Sequence, residues 1–186
     1  LLGKTIGARK LDYSVIKELF YYAYQCTECR RCSLFCPYGI DTAEITALVR
    51  EMLHELGLGI HWIMDPVKNC AFTGNHLGIK PHSYKEIVEM LADDCEYVTG
   101  IRPKTPFNER GHEILFICPS GDVFADPGIY TFMGYLILFN ELDLDYTLST
   151  YASEGGNFGS FVSFNMAKKL NAKMYEEAER LGVKWI

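Results

Sequence analysis

The chain has 186 residues, 48% of them apolar and 23% charged, and 18 basic against 24 acidic side chains leave a net charge of −6. That balance argues against nucleic-acid binding, which normally shows a basic stripe. The longest apolar run, residues 129–139, is too short to span a bilayer and carries Thr131, Gly134 and two tyrosines.

The length suits one sizeable core, or a small module beside a larger domain. No signal-peptide or twin-arginine pattern is read in it. Of the seven cysteines, four form a tight run and three, Cys70, Cys95 and Cys118, are scattered. An odd remainder beside such a run fits a reducing compartment better than a disulfide framework. The chain opens on Leu1 and stops at Lys184-Trp185-Ile186, in what reads as a strand, so a segment of a longer protein is expected.

Residues 1–11 carry Lys4, Arg9 and Lys10 with Gly3 and Gly7 and read as an irregular lead-in. Asp12 or Ser14 then caps a helix whose apolar positions Val15, Ile16, Leu19, Phe20, Tyr22 and Ala23 recur at helical spacing. That helix delivers the chain to Cys26-Thr27-Glu28-Cys29-Arg30-Arg31-Cys32-Ser33-Leu34-Phe35-Cys36-Pro37, a CxxCxxCxxxCP run.

Three thiolates at this spacing can turn from one loop onto three irons of a cubane [4Fe–4S] cluster. The fourth, just before proline, serves either the same cube or a second one. Zinc is the rival reading, but zinc sites usually set two short CxxC or CxxH units across a longer gap. Chance spacing of structural thiols is the remaining one. The candidate cluster ligands are therefore Cys26, Cys29, Cys32 and Cys36. Arg30 and Arg31, between them, either pair with Glu28 or neighbouring acids, or raise the potential of the cluster by favouring its reduced state.

After a turn at Tyr38-Gly39-Ile40, Asp41 with Glu44 forms a capping-box pattern, opening a helix through Ile45, Leu48, Val49, Met52 and Leu53 to a glycine cap at Gly57. Helix, cysteine loop, helix is the first module. Residues 58–82, with Gly59, Pro66, Gly74, Gly78 and Pro81, read as an extended connection. Within it Cys70 near His76 invites a metal or nucleophile hypothesis. The weightier reading is a half-buried thiol in a packed loop, with His76 and His82 bonding backbone. Ser83 with Glu86 opens a further helix ending near Tyr97, with Cys95 in its core face.

A polar linker over 99–112 is the expected domain boundary. Beyond it come a strand at 113–118, a turn at Pro119-Ser120-Gly121-Asp122, a helix from Asp126-Pro127 to about Glu141, and a second strand at 145–149. A glycine-rich loop (153–159), a long helix (160–181) and the start of a third strand (183–186) complete the chain. Alternating strands and helices imply a parallel sheet. The glycine loop has neither the GxGxxG order nor a P-loop lysine, so it reads as a close backbone approach, not a nucleotide site. The expected fold is thus α+β: a helical ferredoxin-type iron–sulfur module over 1–98, a linker over 99–112 and a parallel α/β domain over 113–186.

Several stretches resemble the DsrK family, the cytoplasmic iron–sulfur subunits of the DsrMKJOP membrane complexes of sulfur-metabolising prokaryotes. They are the cysteine run with Gly39-Ile40-Asp41-Thr42-Ala43-Glu44, the Thr73-Gly74-Asn75-His76-Leu77-Gly78 loop, Pro119-Ser120-Gly121-Asp122 to Asp126-Pro127-Gly128, and Tyr151-Ala152-Ser153-Glu154-Gly155-Gly156-Asn157-Phe158-Gly159. The family is similar to the catalytic subunit of heterodisulfide reductase.

The resemblance implies electron transfer from menaquinol, through a membrane haem b partner (DsrM-like), to cubane clusters. From there electrons pass to a noncubane [4Fe–4S] cluster held by cysteine-rich CCG domains outside this segment, where a disulfide or a DsrC trisulfide is reduced. It also implies a cytoplasmic location, attached peripherally to the inner face of the membrane through partner subunits. The α/β part resembles a first CCG domain with degenerate ligation: Gly155-Gly156-Asn157 stands where Cys-Cys-Gly is expected, and Cys118 is not expected to be a ligand. Heterodisulfide reductase and glycolate-oxidase-type iron–sulfur subunits share the run but not the other loops.

Overall fold

Asp12 starts the first helix as a side-chain cap: its carboxylate accepts from the Ser14 and Val15 amides at 3.0 and 3.2 Å, answering two of the unpaired N–H groups of a helix start. The architecture is that of a computed structural model, which describes residues 7, 11–154 and 156–186. Apart from Gly7 and Leu11, the expected basic lead-in lies outside the described residues, as does Gly155 of the glycine loop. The fold is α+β, mostly helical with a small parallel sheet. It divides into two compact units, residues 1–60 with 160–164, and residues 61–159 with 165–186.

In the first unit, α1 (Tyr13–Gln25) runs to Cys26, α2 (Arg31–Phe35) is a single turn inside the cysteine run, and α3 (Thr42–Glu55) follows. Asp41 caps α3 as its sequence position implies, accepting from the Ala43 and Glu44 amides at 3.0 and 3.2 Å. Gly57, at φ 73°, ends it, with Leu58 N–H reaching back to Leu53 O at 2.8 Å. The buried stripe of α3 is Ala43, Ala47, Arg50 and Leu53. Small residues there let α1 and α3 pack closely, and one position of that stripe holds an arginine.

The second unit begins with a difference from the sequence reading. Residues 61–73 form a helix, α4 (His61–Thr73), where an extended connection is expected. Pro66 removes one N–H donor, yet Val67 and Cys70 bury one face at helical spacing, and that burial outweighs the missing bond. Then α5 (Pro81–Thr99) starts with Pro81 in its first turn and no side-chain cap, so Ser83 does not play the expected role. It buries Tyr84, Val88, Leu91, Ala92 and Cys95 and closes on Gly100 at φ 75°. Residues 99–112, the expected linker, belong to this unit: Phe107 bridges Leu148, and Asn108 N–H donates to Leu148 O at 2.8 Å.

The strands β1 (Ile114–Phe116) and β2 (Tyr146–Leu148) pair in parallel, Leu115 opposite Thr147. Between them run α6 (Ser120–Phe124), where a turn is expected, and α7 (Gly128–Glu141), which begins one residue after Pro127 and has no side-chain cap. A short 3₁₀ segment, Gly156–Phe161, takes the place of the first turn of the expected last helix, which becomes α8 (Phe164–Leu181). The expected third strand reduces to one parallel bridge, Trp185 to Ile114.

Side chains alternate across the short sheet. Phe116 stacks on Phe132 of α7, with ring centroids 6.1 Å apart, while Leu115 packs under Ala178 and Leu181 of α8. Both faces are thereby covered, as a parallel sheet requires.

Candidate functional site

The four cysteines of the run occupy one continuous loop between α1 and α3. Cys26 is the residue that ends α1, Cys29 is exposed in the turn, Cys32 lies in α2 and Cys36 closes α2. Glu28 and Arg30, on either side of Cys29, both take left-handed backbone conformations, at φ 53° and 57°. Two such non-glycine residues in one turn are uncommon and fold the chain sharply around Cys29. Among the described residues, no three His, Cys, Asp or Glu side chains are gathered closely enough to hold a metal ion.

The donor set nonetheless fits an iron–sulfur cluster. The Cys29 thiol is pulled below its ordinary value, first by the Arg31 backbone N–H and then by the Thr27 hydroxyl. Cys36 is pulled down by the Ile40 and Tyr38 backbone amides. The Glu28 amide lies 3.4 Å from the Cys26 sulfur, and Cys32 contacts the Thr42 hydroxyl. Thiolate is the ligating form, and amides aimed at sulfur are one of the means by which a protein tunes a cluster.

Asp41 ties this loop to α3. Besides capping the helix it accepts from the Ser33 hydroxyl at 2.8 Å and pairs with Arg30 at 3.4 Å, and those hydrogen bonds, Ser33 first, hold its carboxyl below the usual range. Arg30 therefore pairs with a neighbouring acid, one of the partners the sequence allows it. Glu28, another of those partners, turns instead to Arg50 at 2.7 Å. Sequence reading passed over Arg50; the signal for it was a charged residue on the apolar stripe of an amphipathic helix.

The scattered cysteines are a different population. Cys70, Cys95 and Cys118 are buried. Burial, and then the Glu154 carboxylate, pushes the Cys70 thiol up to about 11. Burial, and then Asp122, pushes Cys118 up to about 12. Both are held as inert thiols, the opposite of an activated nucleophile.

Within the second unit, the three loops singled out in the sequence meet at one carboxylate. Glu154 Oε1 accepts from His76 N–H at 3.2 Å and Ser120 N–H at 3.0 Å, bonds the Ser120 hydroxyl, and lies 2.5 Å from His76 Nδ1. The His76 ring stacks on Phe158, with centroids 4.9 Å apart. The glycine-rich loop does make a close backbone approach, but to the chain itself: a Cβ on Gly159 would stand 2.5 Å from the Ala167 backbone, and a second close approach is made at Gly74. Gly74 lies so near Tyr151 that a Cβ on it would stand 1.9 Å from the Tyr151 carbonyl oxygen.

No family model matches the chain, and no solved structure matches it. Curated relatives do. The chain is 50% identical over 188 residues to the Hdr-like menaquinol oxidoreductase iron–sulfur subunit 2 of Archaeoglobus fulgidus, an alignment covering 99% of this chain and 34% of that protein. It is also 50% identical over 190 residues to the Hdr-like menaquinol oxidoreductase iron–sulfur subunit of Archaeoglobus profundus, covering 100% of this chain and 34% of that protein. The chain therefore spans about a third of the length of these relatives. The similarity supports the Hdr-like family.

Proposed function

We propose that this chain is an electron-relaying iron–sulfur part of a membrane-associated, quinol-oxidising, heterodisulfide-reductase-like complex. Cys26, Cys29 and Cys32 hold a cubane [4Fe–4S] cluster, and Cys36 ligates that cube or a second one. The observation that carries this reading is the CxxCxxCxxxCP run folded into one loop between two capped helices, with backbone amides drawing Cys29 and Cys36 towards thiolate. The names of the relatives, menaquinol oxidoreductase iron–sulfur subunits, support the electron-transfer role.

A bound cluster supplies one-electron redox chemistry at this loop. The chain's own residues provide thiolates (Cys26, Cys29, Cys32, Cys36), anchor the loop to α3 through Asp41, and shape the turn at Glu28 and Arg30. Among the described residues no helix is long and apolar enough to cross a membrane, and attachment to the membrane is assigned to partner subunits, with a haem b quinol-oxidising protein as electron donor.

The finer reading, from the resemblance of the loops to DsrK, places the acceptor at a noncubane cluster elsewhere in the complex and makes a DsrC-type trisulfide its substrate. In the same reading the cluster belongs to the N-terminal part, whose compact unit is residues 1–60 with 160–164. Residues 113–186, which apart from 160–164 share the second unit with residues 61–112, are CCG-like without cysteine ligands of their own. The alternative of an enzyme acting through Cys70 or Cys118 is disfavoured by their burial and raised thiol values.

The test is iron and acid-labile sulfide per chain on anaerobically purified protein, with EPR of the dithionite-reduced form. About four of each with a simple spin-half signal supports one cube on the run, and about eight with spin-coupled signals supports two cubes sharing it. Zinc without iron or sulfide overturns the reading.

A further inference from the structure

Arg50 sits in the middle of α3 with its side chain only 3% exposed. A guanidinium removed from water to that degree is destabilising unless every arm is paired, and its partners show what it is for. Its Nε donates to Ala23 O at 3.0 Å and its Nη2 donates to Cys26 O. Its Nη1 donates to Glu28 Oε1 at 2.7 Å and to Ser160 O at 3.4 Å. The rings of Tyr24 and Phe161 lie 5.4 and 5.5 Å from the guanidinium carbon and cover its faces.

Two of these partners are carbonyls at the end of α1, a helix with no basic residue of its own in its last turn. Arg50 supplies from α3 the positive charge and the donors that such a helix end lacks. Packing α1 on α3 explains the contact with Ala23. It does not explain those with Cys26 and Glu28. Cys26 is the first cysteine of the run, and Glu28, at φ 53°, is the strained residue that bends the chain just before the second. One buried side chain thus holds the peptide before, at and after the first cysteine.

We propose that Arg50 is a positioning residue for the cluster. Its guanidinium fixes the path of the chain from Cys26 to Cys29, and Glu28 is the counter-charge that keeps the clamp electrically neutral beside the cluster. The inference rests on the proposed cluster at the cysteine run and extends it to a residue outside the run. Because the pair is neutral, its two halves have opposite electrostatic consequences. Without Glu28, an uncompensated cation stays beside the cluster and favours its more negative, reduced state. Without Arg50, an uncompensated anion disfavours that state.

The experiment compares Arg50→Gln, Arg50→Lys and Glu28→Gln with the unsubstituted chain, all loaded anaerobically. It reads iron release to a chelator, the midpoint potential from EPR-monitored titration, and far-UV circular dichroism after iron removal. Both glutamine variants are expected to lose iron roughly 10- to 100-fold faster, the range for residues that orient metal ligands. The midpoint is expected to rise in Glu28→Gln and to fall in Arg50→Gln, with Arg50→Lys between Arg50→Gln and the unsubstituted chain.

A residue that only packs the helices would not move the potential in opposite directions. Should Arg50→Gln fail to fold, Glu28→Gln still decides, since Glu28 is 21% exposed and tolerates the change. Iron release and potential unchanged in Glu28→Gln, or shifts of the same sign in the two glutamine variants, overturn the inference. An unsubstituted chain that takes up no iron or sulfide overturns it together with the cluster reading beneath it. A loaded chain with unaffected variants overturns the role of Arg50 alone.

Discussion

His76 Nδ1 lies 2.5 Å from Glu154 Oε1, joining two loops separated by 78 positions in the chain. The Ser120 hydroxyl bonds the same carboxylate oxygen and lies 3.0 Å from the same ring nitrogen. Ser, His and a carboxylate suggest a hydrolytic triad, but that mechanism needs the serine on one ring nitrogen and the acid on the other. Here both crowd Nδ1, and the serine proton is committed to the carboxylate. The arrangement is a tie between loops.

That tie sets the first prediction. Glu154, with its side chain 5% exposed, satisfies the buried Ser120 donors and the half-buried ones of His76, and each buried donor left without a partner costs about 1–3 kcal/mol. Glu154→Ala is expected to lower unfolding stability by on the order of 3 kcal/mol, and Glu154→Gln, which keeps an acceptor, by less. Urea unfolding followed by circular dichroism checks this. Equal midpoints for the two variants would show that the hydrogen bonds to Glu154 do not carry the loss.

Gly74 and Gly57 make an internal comparison. Both have positive φ, 79° and 73°, but a Cβ on Gly57 meets nothing within 4 Å, while one on Gly74 collides with the Tyr151 carbonyl. Alanine at either position incurs the left-handed backbone penalty of about 1–2 kcal/mol. Only Gly74→Ala must also push apart the loops that Ser153 N–H closes onto Gly74 O at 3.2 Å. Thermal melts are expected to rank Gly74→Ala well below Gly57→Ala. Matching melts would mean that the Tyr151 segment moves aside freely.

The pH dependence of stability should carry a signature of His112 and Asp145, 2.6 Å apart. Burial draws the His112 ring down, but hydrogen bonds to Asp145 and then Glu109 outweigh it, and its pKa is raised. Asp145 is lowered, chiefly by the His112 hydrogen bond. A raised histidine contributes stability that is complete below its unfolded value of about 6.5 and is lost as pH rises through the folded value. A lowered carboxyl contributes stability that is complete above about 3.9 and is lost as pH falls through the folded value. The pair therefore stabilises most between these limits. The loss in denaturation midpoint from about pH 6 to about pH 8 is expected to be smaller in Asp145→Asn than in the unsubstituted chain. Parallel profiles would exclude the pair as the source.

What could be read ahead of the structure was local. Asp12 and Asp41 each sit directly before a helical apolar pattern, and both cap as that position implies. The helix at 61–73 escaped because Pro66 and the flanking glycines imitate a loop, and only the burial of Val67 and Cys70 against other elements tips the balance. Trp185 reaches the sheet by a single bridge, a tertiary outcome that β-propensity does not foresee. The three loops at Glu154 were each recognisable, but their meeting depends on contacts across many positions. Arg50 was hidden for the same reason: its partners on α1 and in the cysteine loop are 22 to 27 positions away.

The cysteines themselves give the sharpest division. Cys26, Cys29, Cys32 and Cys36 lie in one loop, two of them drawn towards thiolate by backbone amides, whereas Cys70, Cys95 and Cys118 are buried thiols pushed the other way. Single serine replacements across all seven should therefore fall into two classes. Cys26→Ser, Cys29→Ser and Cys32→Ser are expected to lose the iron and sulfide of the cube they hold, because a hydroxyl is a poor, hard substitute for thiolate on iron. Cys70→Ser, Cys95→Ser and Cys118→Ser are expected to keep the full iron content and to lose only stability, through a hydroxyl placed in an apolar site. Cys36→Ser tells one cube from two: if it serves the same cube as the others it joins the first class, and if it serves a second, about half of the iron remains. Iron loss on replacing Cys70 or Cys118, with the four-cysteine run dispensable, would move the metal site to the second unit and end the present reading.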